Sequence, residues 1–468
     1  MLFYLIIALI GIGILILALK KPYIALLIFL FLLPLNAFII TYFGHIFNLD
    51  PTQRLILTLW KEWVVFSLII WAVISLITDK IKKQPSLRLF WFDYLIVGLF
   101  LISLLTIIWG IKDLKTIIYG LRYDFEFFAI YFIGRVLRPD MYKLKIAVYV
   151  LLLGSVIPVV FGIFQATILP WDFLNKFGYT YALEWTPGSD LQSSQIVGGT
   201  RELSRIISTL SGPNQLGSYL ALISVFLLSI ILFARKNLYK AASAIYFLII
   251  LLPLYRTFSR SAWLGLAVSV LVLMIYLLYR ILSIKKPAPK SNLLIPLFSI
   301  VLLVIIAIFA FGYIYSINQG LLKEMISRGF STSNHIEALK KGVILIKQKP
   351  QGLGIGSAGP ASQWSMGLEK SVITESSFLQ FGVEMGILGI IGFIVIIFSL
   401  IVKLFKEINR KEEVVSKIIL LGSALGLIAL VVISLFLHSF ADTATSFTLF
   451  ALIGLVLNPH TKIYIRQY

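Results

Sequence analysis

The chain has 468 residues, of which 59% are hydrophobic and only 13% are charged, a composition that excludes an ordinary soluble domain. It contains no cysteine, which excludes disulfides, thiolate metal ligands and cysteine nucleophiles. The net charge of +20 resembles that of a nucleic-acid-binding protein, but in so apolar a chain basic loops beside membrane spans explain it better. We therefore expect a polytopic membrane protein with no nucleic-acid partner.

Apolar runs of about 20 residues, the length that a helix needs to cross a bilayer, recur along the chain. They predict an all-α membrane bundle of about 12 or 13 helices that forms one domain over residues 1–468. The higher count includes the run at the N-terminus as a true span. The runs lie near residues 3–19, 23–43, 55–78, 91–109, 118–134, 146–165, 214–233, 241–255, 262–279, 293–313, 379–402, 418–437 and 447–458.

Basic residues are concentrated in alternate loops between these runs. More than half of the 41 lysines and arginines fall on one side, which the positive-inside rule predicts to be cytoplasmic. Two long segments, 166–213 and 314–378, are then extracytoplasmic. Because that face also keeps many basic residues, we expect it to bind an anionic ligand. The loops predicted to be cytoplasmic contain Lys82, Arg138, Lys236, Lys286 and Arg410.

The first long segment ends in a group of residues suited to anion binding. Arg201 and Arg205 are four residues apart, so on a helix they would share a face and could hold one anion together. The stretch from Ser211 to Asn214 predicts a turn that begins the next helix, where backbone N–H groups lack helical partners. The alternative is ordinary capping with solvated charges.

A second basic pair, Arg256 and Arg260, lies in a short connection between two predicted spans. A guanidinium stays charged and can bind two oxygens at once, as a pyrophosphate site requires. The alternative is that these side chains reach lipid headgroups or control topology.

The segment 314–378 carries several charged residues between two spans, and we expect it to form the wall of a site. Apolar residues at helical spacing from His335 to Ile346 predict an amphipathic helix near the interface, with Pro350 beyond its end. The glycine-rich stretch 351–360 lacks the Lys-Ser/Thr pair of a P-loop and predicts a series of turns.

Glu375 lies where this segment meets the next span. Burial there would raise the pKa of its carboxyl group, as a general base can require. The alternative is a charge that complements the helix dipole. His335 is the second candidate for the base, because imidazole commonly exchanges protons near neutral pH.

A few charged residues interrupt the apolar runs. Arg122 and Glu126 are one helical turn apart, which predicts a structural ion pair rather than a site. Lys61 and Glu62 indicate a membrane boundary.

His438 and Asp442 are predicted to lie outside, where they could border the same cavity. No arrangement of His, Asp or Glu at metal-ligand spacing is evident, so we expect no metal ion.

Four stretches of this chain together resemble the O-antigen ligase and O-antigen polymerase family, over roughly residues 90 to 458. The resemblance implies a multi-spanning glycosyltransferase of the GT-C type in the bacterial cytoplasmic membrane. Such enzymes take a glycan from undecaprenyl pyrophosphate on the outer side, without a metal ion or other cofactor. The stretches are Arg205 to Asn214, Ser259 to Gly265, Lys349 to Gly356 and Glu375 to Gly389.

The resemblance implies that Arg205 and Arg260 hold the pyrophosphate. We expect further substrate contacts from four residues on or near these stretches: Arg201, Asn214, Arg256 and Arg328. The partners would be a lipid-linked oligosaccharide donor, a glycan acceptor and membrane lipids.

One departure from the family pattern bears on the acceptor. Many ligases carry a His-Asn pair before this span, whereas this chain has Glu375-Ser376-Ser377. The difference favours a polymerase, or a ligase with another acceptor. The rival hypothesis is a transporter or flippase of the same lipid-linked glycan. Transporters commonly have broken helices and paired repeats, and the sequence pattern indicates neither.

Overall fold

The computed structural model describes residues 2–83, 87–110, 113–180, 195–197, 200–282, 329–366 and 371–457. The predicted span near 293–313, together with Lys286 and Arg328, lies outside the described residues. The helices are α1 (Leu2–Lys20), α2 (Pro22–Leu32), α3 (Asn36–Ile46), α4 (Pro51–Thr58), α5 (Trp60–Ile81), α6 (Trp91–Leu105), α7 (Leu114–Leu137), α8 (Met141–Thr167), α9 (Pro213–Phe233), α10 (Asn237–Arg256), α11 (Arg260–Leu282), α12 (Gly329–Gln348), α13 (Gly359–Met366), α14 (Ser377–Ile408), α15 (Val414–Ser434) and α16 (Thr443–Val456). A hairpin of β1 (Gln195–Val197) and β2 (Thr200–Arg205) is present between α8 and α9.

Every predicted span that falls on described residues coincides with a helix or helix pair. In the described part of the chain, nine helical stretches are long and apolar enough to cross a membrane, and α6 and α16 are shorter apolar helices. The predicted fold, an all-α polytopic membrane protein, is therefore confirmed.

Helices α9, α15 and α16 form the centre of the bundle and are largely buried. Small residues let their neighbours approach closely, as is usual where helices pack in membranes. Gly134 of α7 lies against Gly454 of α16, and Gly265 of α11 lies against the Ala429 carbonyl of α15. At the periphery, α1 rests on α5, where the Trp63 indole donates a 2.8 Å hydrogen bond to the Gly11 carbonyl.

Two ion pairs join α5 and α7 near opposite ends. Arg122 pairs with Glu62, and Arg138 pairs with Asp79 at 2.9 Å. At 1.5 Å per residue the two pairs are about 25 Å apart along the helices, close to the roughly 30 Å of a hydrocarbon core. One ion pair therefore lies near each end of the two helices, and the boundary predicted at Glu62 stays a prediction.

We call the face of the bundle beyond the Glu62 pair the Glu375 face, and the opposite one the Arg138 face. At the Arg138 face, Arg135 and Asp93 are fully buried and form an ion pair between α7 and α6. Tyr131 donates a 2.8 Å hydrogen bond to the Asp93 carboxylate. This network fixes the end of α6 against α7.

Helix α14 is broken at Gly386, whose φ of 71° and ψ of −161° are not helical. The break leaves backbone groups without helical partners, and the glycine-rich stretch supplies them. Leu353 N donates to the Val383 carbonyl at 2.7 Å, and Ile387 N donates to the Pro350 carbonyl at 2.9 Å. The predicted series of turns is confirmed, whereas the expectation of no broken helix is wrong.

We predict that Gly386→Ala destabilises the protein by about 1–2 kcal/mol or more, because a left-handed residue with a Cβ is strained. The added carbon would also clash with the Pro350 carbonyl oxygen. Gly392→Ala on the same helix is the matched control, since its nearest neighbour would be a Leu99 methyl at 3.5 Å. Thermal unfolding in detergent measures both, and equal midpoints would contradict the strain argument.

The sidedness of the bundle can be tested because the natural chain lacks cysteine. We predict that a single cysteine at Lys340, which is exposed on α12, reacts with an impermeant thiol reagent added outside intact cells. A cysteine at Lys82 should react only after the membrane is opened. Reaction of position 340 from the cytoplasm alone would contradict the topology.

Candidate active site

Arg201 and Arg205 lie on a strand, so the prediction that they share a helical face is wrong. Strand Thr200–Arg205 pairs antiparallel with Gln195–Val197. The sequence contains a signal for this hairpin, because Gly198-Gly199 between two short segments is typical of a two-residue hairpin loop. The side chain of Arg201 falls outside the described part of the structure, while that of Arg205 is well placed.

Arg205 is held at the end of β2 with only 9% of its surface exposed. Its Nε donates a 2.8 Å hydrogen bond to the Thr257 carbonyl, and its Nη2 donates a 2.6 Å hydrogen bond to Asn214 Oδ1. Asn214 is in the first turn of α9, which begins at Pro213 as the sequence predicts. The guanidinium therefore connects the hairpin, α9 and the turn that follows α10.

That turn, between α10 and α11, carries the other two predicted arginines. Arg256 ends α10 and Arg260 begins α11, and Phe258 between them has a left-handed φ of 50°. The Arg256 carbonyl accepts a 3.2 Å hydrogen bond from Ile206 N. The structure thus places Arg205, Arg256 and Arg260 around one tight turn. Arg205 is buried, Arg256 is half-buried and Arg260 is exposed.

Glu375 lies immediately before α14 with a left-handed φ of 48°. A non-glycine residue keeps this conformation only when its neighbours fix it. Thr374 Oγ1 is 3.1 Å from His438 Nε2, and Ser376 Oγ donates to the Ser434 carbonyl at 3.1 Å. The residues on both sides of Glu375 are therefore anchored to the end of α15 and the loop after it.

His335 approaches Glu375 from α12. Its Nδ1 is 3.4 Å from Glu375 Oε2, a long contact, and about a third of each side chain is exposed. Helix α12 is positioned by Gly342, which lies against Leu379 and Thr374 at the start of α14. The two candidate bases thus share one site.

The electrostatics of Glu375 differ from the prediction. Burial raises the pKa of its carboxyl group, but the hydrogen bond with His335 is the largest opposing contribution, and the pKa falls below its ordinary value. Burial lowers the pKa of His438 to about 4, against the attraction of Glu375. The predicted upward pKa shift is wrong, and near neutral pH Glu375 is ionised beside a neutral His438.

His438 was placed near the cavity by the sequence but not assigned to the site. Its contact with Thr374 joins residues 64 positions apart, which spacing cannot predict. The sequence offers one signal that could have pointed to His438, because the whole chain has only four histidines.

Glu384 is a buried carboxylate that positions this region. Its oxygens accept hydrogen bonds from Gly356 N at 2.9 Å and Ala358 N at 3.2 Å. Gln380, one turn earlier, donates a 2.7 Å hydrogen bond to Asp124 of α7. The network holds the glycine-rich stretch between α7 and α14.

Arg122 does not form the predicted ion pair with Glu126. It pairs instead with Glu62 across the contact between α7 and α5, and Lys61 is 3.7 Å from the same carboxylate. The prediction considered one helix alone, and the neighbouring helix supplies the closer partner. Among the described residues, no group of three or more His, Asp and Glu side chains could hold a metal ion.

Comparison with known families matches one part of the chain. Residues 245–394 match the family described as O-antigen ligase, a range that includes Arg256, Arg260, His335 and Glu375. Arg205 precedes the matched range, which is narrower than the resemblance seen in the sequence. No curated protein matches the chain. The nine long apolar helical stretches among the described residues indicate a multi-pass membrane protein, and its residues 245–394 are similar to the O-antigen ligase family.

Proposed function

We propose that this protein transfers a glycan from an undecaprenyl-pyrophosphate-linked donor to an acceptor hydroxyl. The reaction takes place at the Glu375 face, which is the extracytoplasmic side of the bacterial cytoplasmic membrane. The observation that carries the proposal is the ionised Glu375, clamped in a strained conformation on the same face as the turn that gathers three arginines. The match to the O-antigen ligase family supports a glycosyltransferase.

The arginines stabilise the leaving group. As the bond between the anomeric carbon and the pyrophosphate oxygen breaks, its electron pair leaves with the pyrophosphate, and negative charge increases there. Preorganised cations stabilise that charge without reorganisation. Arg205 is fixed in advance by Thr257 and Asn214, while Arg256 and Arg260 border the same turn. Arg201, and Arg328 outside the described residues, remain further candidates for donor binding.

Glu375 acts as the general base for the acceptor. The acceptor oxygen forms the new bond to the anomeric carbon, and its proton passes to the Glu375 carboxylate. The lowered pKa keeps this carboxylate ionised at neutral pH. His335 contacts the carboxylate and orients it. Because Glu375-Ser376-Ser377 stands where many ligases carry a His-Asn pair, the acceptor is another repeat unit, as in a polymerase, or an acceptor other than that of those ligases.

The rival function is transport of the lipid-linked glycan. The break at Gly386 is a feature that transporters share. In this chain, however, the backbone groups released at the break are paired with the glycine-rich stretch and do not line a pathway. The break therefore supports a rigid site.

The test uses proteoliposomes that contain the purified protein and lipid-linked glycan extracted from the host cell. Transfer predicts longer glycans joined by new glycosidic bonds, detected by mass spectrometry, with release of the lipid pyrophosphate. Liposomes with a Glu375→Gln protein are the matched control. Movement of the glycan across the bilayer without a new bond would contradict the enzyme and favour the transporter.

A further inference from the structure

A second polar cluster lies on the same face, between α5 and α7, and has no role in the proposed chemistry so far. Lys61 and Glu62 of α5 meet Arg122 of α7. The Arg122 guanidinium lies over the rings of Tyr119 and Tyr123, at 5.9 Å and 5.2 Å from their centroids. The two tyrosine rings are stacked, with centroids 6.5 Å apart.

Glu126 is the member of this cluster that points to a ligand. It is one turn beyond Arg122, about 5 Å further into the membrane from the Glu62 pair. It is only partly exposed, and charges of the cluster surround it. Within the described residues, its carboxylate has no hydrogen bond or ion pair of its own, whereas Glu62 takes the arginine.

A partly exposed carboxylate at this depth cannot face hydrocarbon cheaply. Insertion scales give about 2.5–3.5 kcal/mol for a charge at the centre of a helix, so such residues face protein or a water-filled cavity. The exposed part of Glu126 therefore opens into water that enters from the Glu375 face.

The cluster is continuous with the catalytic side of the site. Lys61 interacts electrostatically with Asp442, which follows His438 by one turn. Between them, Phe440 packs on Phe127 of α7 with ring centroids 5.6 Å apart. The loop that anchors Glu375 through His438 thus also borders the cluster.

The arginines of the leaving group are on other elements. They lie at the end of β2 and at the ends of α10 and α11 that meet in one turn, and α11 packs on α15, whose end anchors Ser376. In a displacement, the acceptor approaches the anomeric carbon from the side opposite the leaving group. The cluster is on α5 and α7, which are separate from the elements that carry the arginines, as an acceptor subsite requires.

We propose that the cluster of Glu126, Arg122, Tyr119 and Tyr123 is a binding subsite for the acceptor glycan. The ligand class is a neutral, hydroxyl-rich sugar chain. A carboxyl group forms hydrogen bonds with sugar hydroxyls, a guanidinium donates to their oxygens, and tyrosine offers both a hydroxyl and a ring face. This inference rests on the proposed function, since it assigns the acceptor of that reaction.

The first test measures thiol labelling with and without a competing oligosaccharide, and this test requires no turnover. In the naturally cysteine-free chain, Glu126→Cys and, separately, Tyr119→Cys are exposed to a charged, impermeant methanethiosulfonate in proteoliposomes. Leu153→Cys, on the exposed surface of α8, is the lipid-facing control. The competing probe is the lipid-free repeat-unit oligosaccharide released from the host polysaccharide.

We expect both cluster cysteines to react and Leu153→Cys to remain unreactive. The oligosaccharide at ten times its Kd should slow the reaction about tenfold, because roughly one site in eleven is then empty. In the transfer assay, Glu126→Gln should raise the KM for the acceptor and leave the KM for the donor unchanged.

Three results would overturn the subsite. They are cluster cysteines as unreactive as Leu153→Cys, labelling that the oligosaccharide does not slow, and a Glu126→Gln protein with an unchanged acceptor KM. Protection without any transfer in the wild-type protein would instead contradict the proposed function and leave the sugar-binding subsite standing. The two failures are therefore distinguishable.

Discussion

Glu375→Gln should reduce glycan transfer by about 10²–10⁴-fold, the usual contribution of a general base. The amide has nearly the shape of the carboxylate and can remain between Thr374 and Ser376, but it cannot take a proton from the acceptor. Binding of the lipid-linked donor should be unaffected. Single-turnover transfer in proteoliposomes measures the rate, and co-purified donor measures the binding.

Two controls make this result specific. Glu337→Gln changes an exposed carboxylate on α12, two residues from His335, and should transfer at the normal rate. Near-normal turnover by Glu375→Gln together with an inactive His335→Ala would move the role of base to His335.

The pH dependence provides an independent test of the carboxylate. Because the pKa of Glu375 is held below its ordinary value of 4.5, the base is ionised throughout the neutral range. Activity should therefore be nearly constant there and fall only as acid protonates Glu375. A wild-type rate that drops steeply between about pH 8 and pH 6, where an unperturbed carboxyl group does not titrate, would contradict a carboxylate base.

The membrane architecture was predictable because it depends on one local property, the length of apolar runs. The start of α9 at Pro213 and the end of α12 before Pro350 followed from turn and proline rules that also act locally. The tight connection between Arg256 and Arg260 was predictable because only a few residues separate the two apolar runs.

What the sequence could not predict depends on contacts between distant residues. Arg205 was expected on a helix from its four-residue spacing, but its environment is set by pairing with Gln195 and by the Thr257 carbonyl. Burial alone predicts a raised pKa for Glu375, but the contact with His335, 40 residues earlier in the chain, lowers it. Both predictions failed because the sequence does not show which distant residues contact Arg205 and Glu375.

Glu384 shows why such a residue escapes a sequence-based search. Within its helix it looks like an isolated carboxylate in an apolar run. Its partners, Gly356 N and Ala358 N, are 28 and 26 residues away, and the break at Gly386 that admits them has no proline to announce it. A carboxylate that accepts hydrogen bonds from distant backbone N–H groups can be recognised only once the break in α14 is seen.

Arg205→Lys should reduce transfer by about 10²–10³-fold, comparable to the loss of one preorganised donor from an anion-stabilising site. Arg205 bonds Thr257 and Asn214 through two different nitrogens, and a single ammonium cannot reproduce that planar geometry. Because the charge on the pyrophosphate grows as the bond breaks, the loss should appear mainly in kcat rather than in the KM for the donor.

Arg235→Lys is the matched control, because Arg235 is exposed beyond the opposite end of α9 and should tolerate the change. Arg260→Lys should lose activity as Arg205→Lys does, since both cations border one turn. An unfolding midpoint near that of the wild type would separate lost catalysis from lost structure. Full activity in both Arg205→Lys and Arg260→Lys would contradict a shared pyrophosphate site, because lysine keeps the charge and removes only the paired, planar donors.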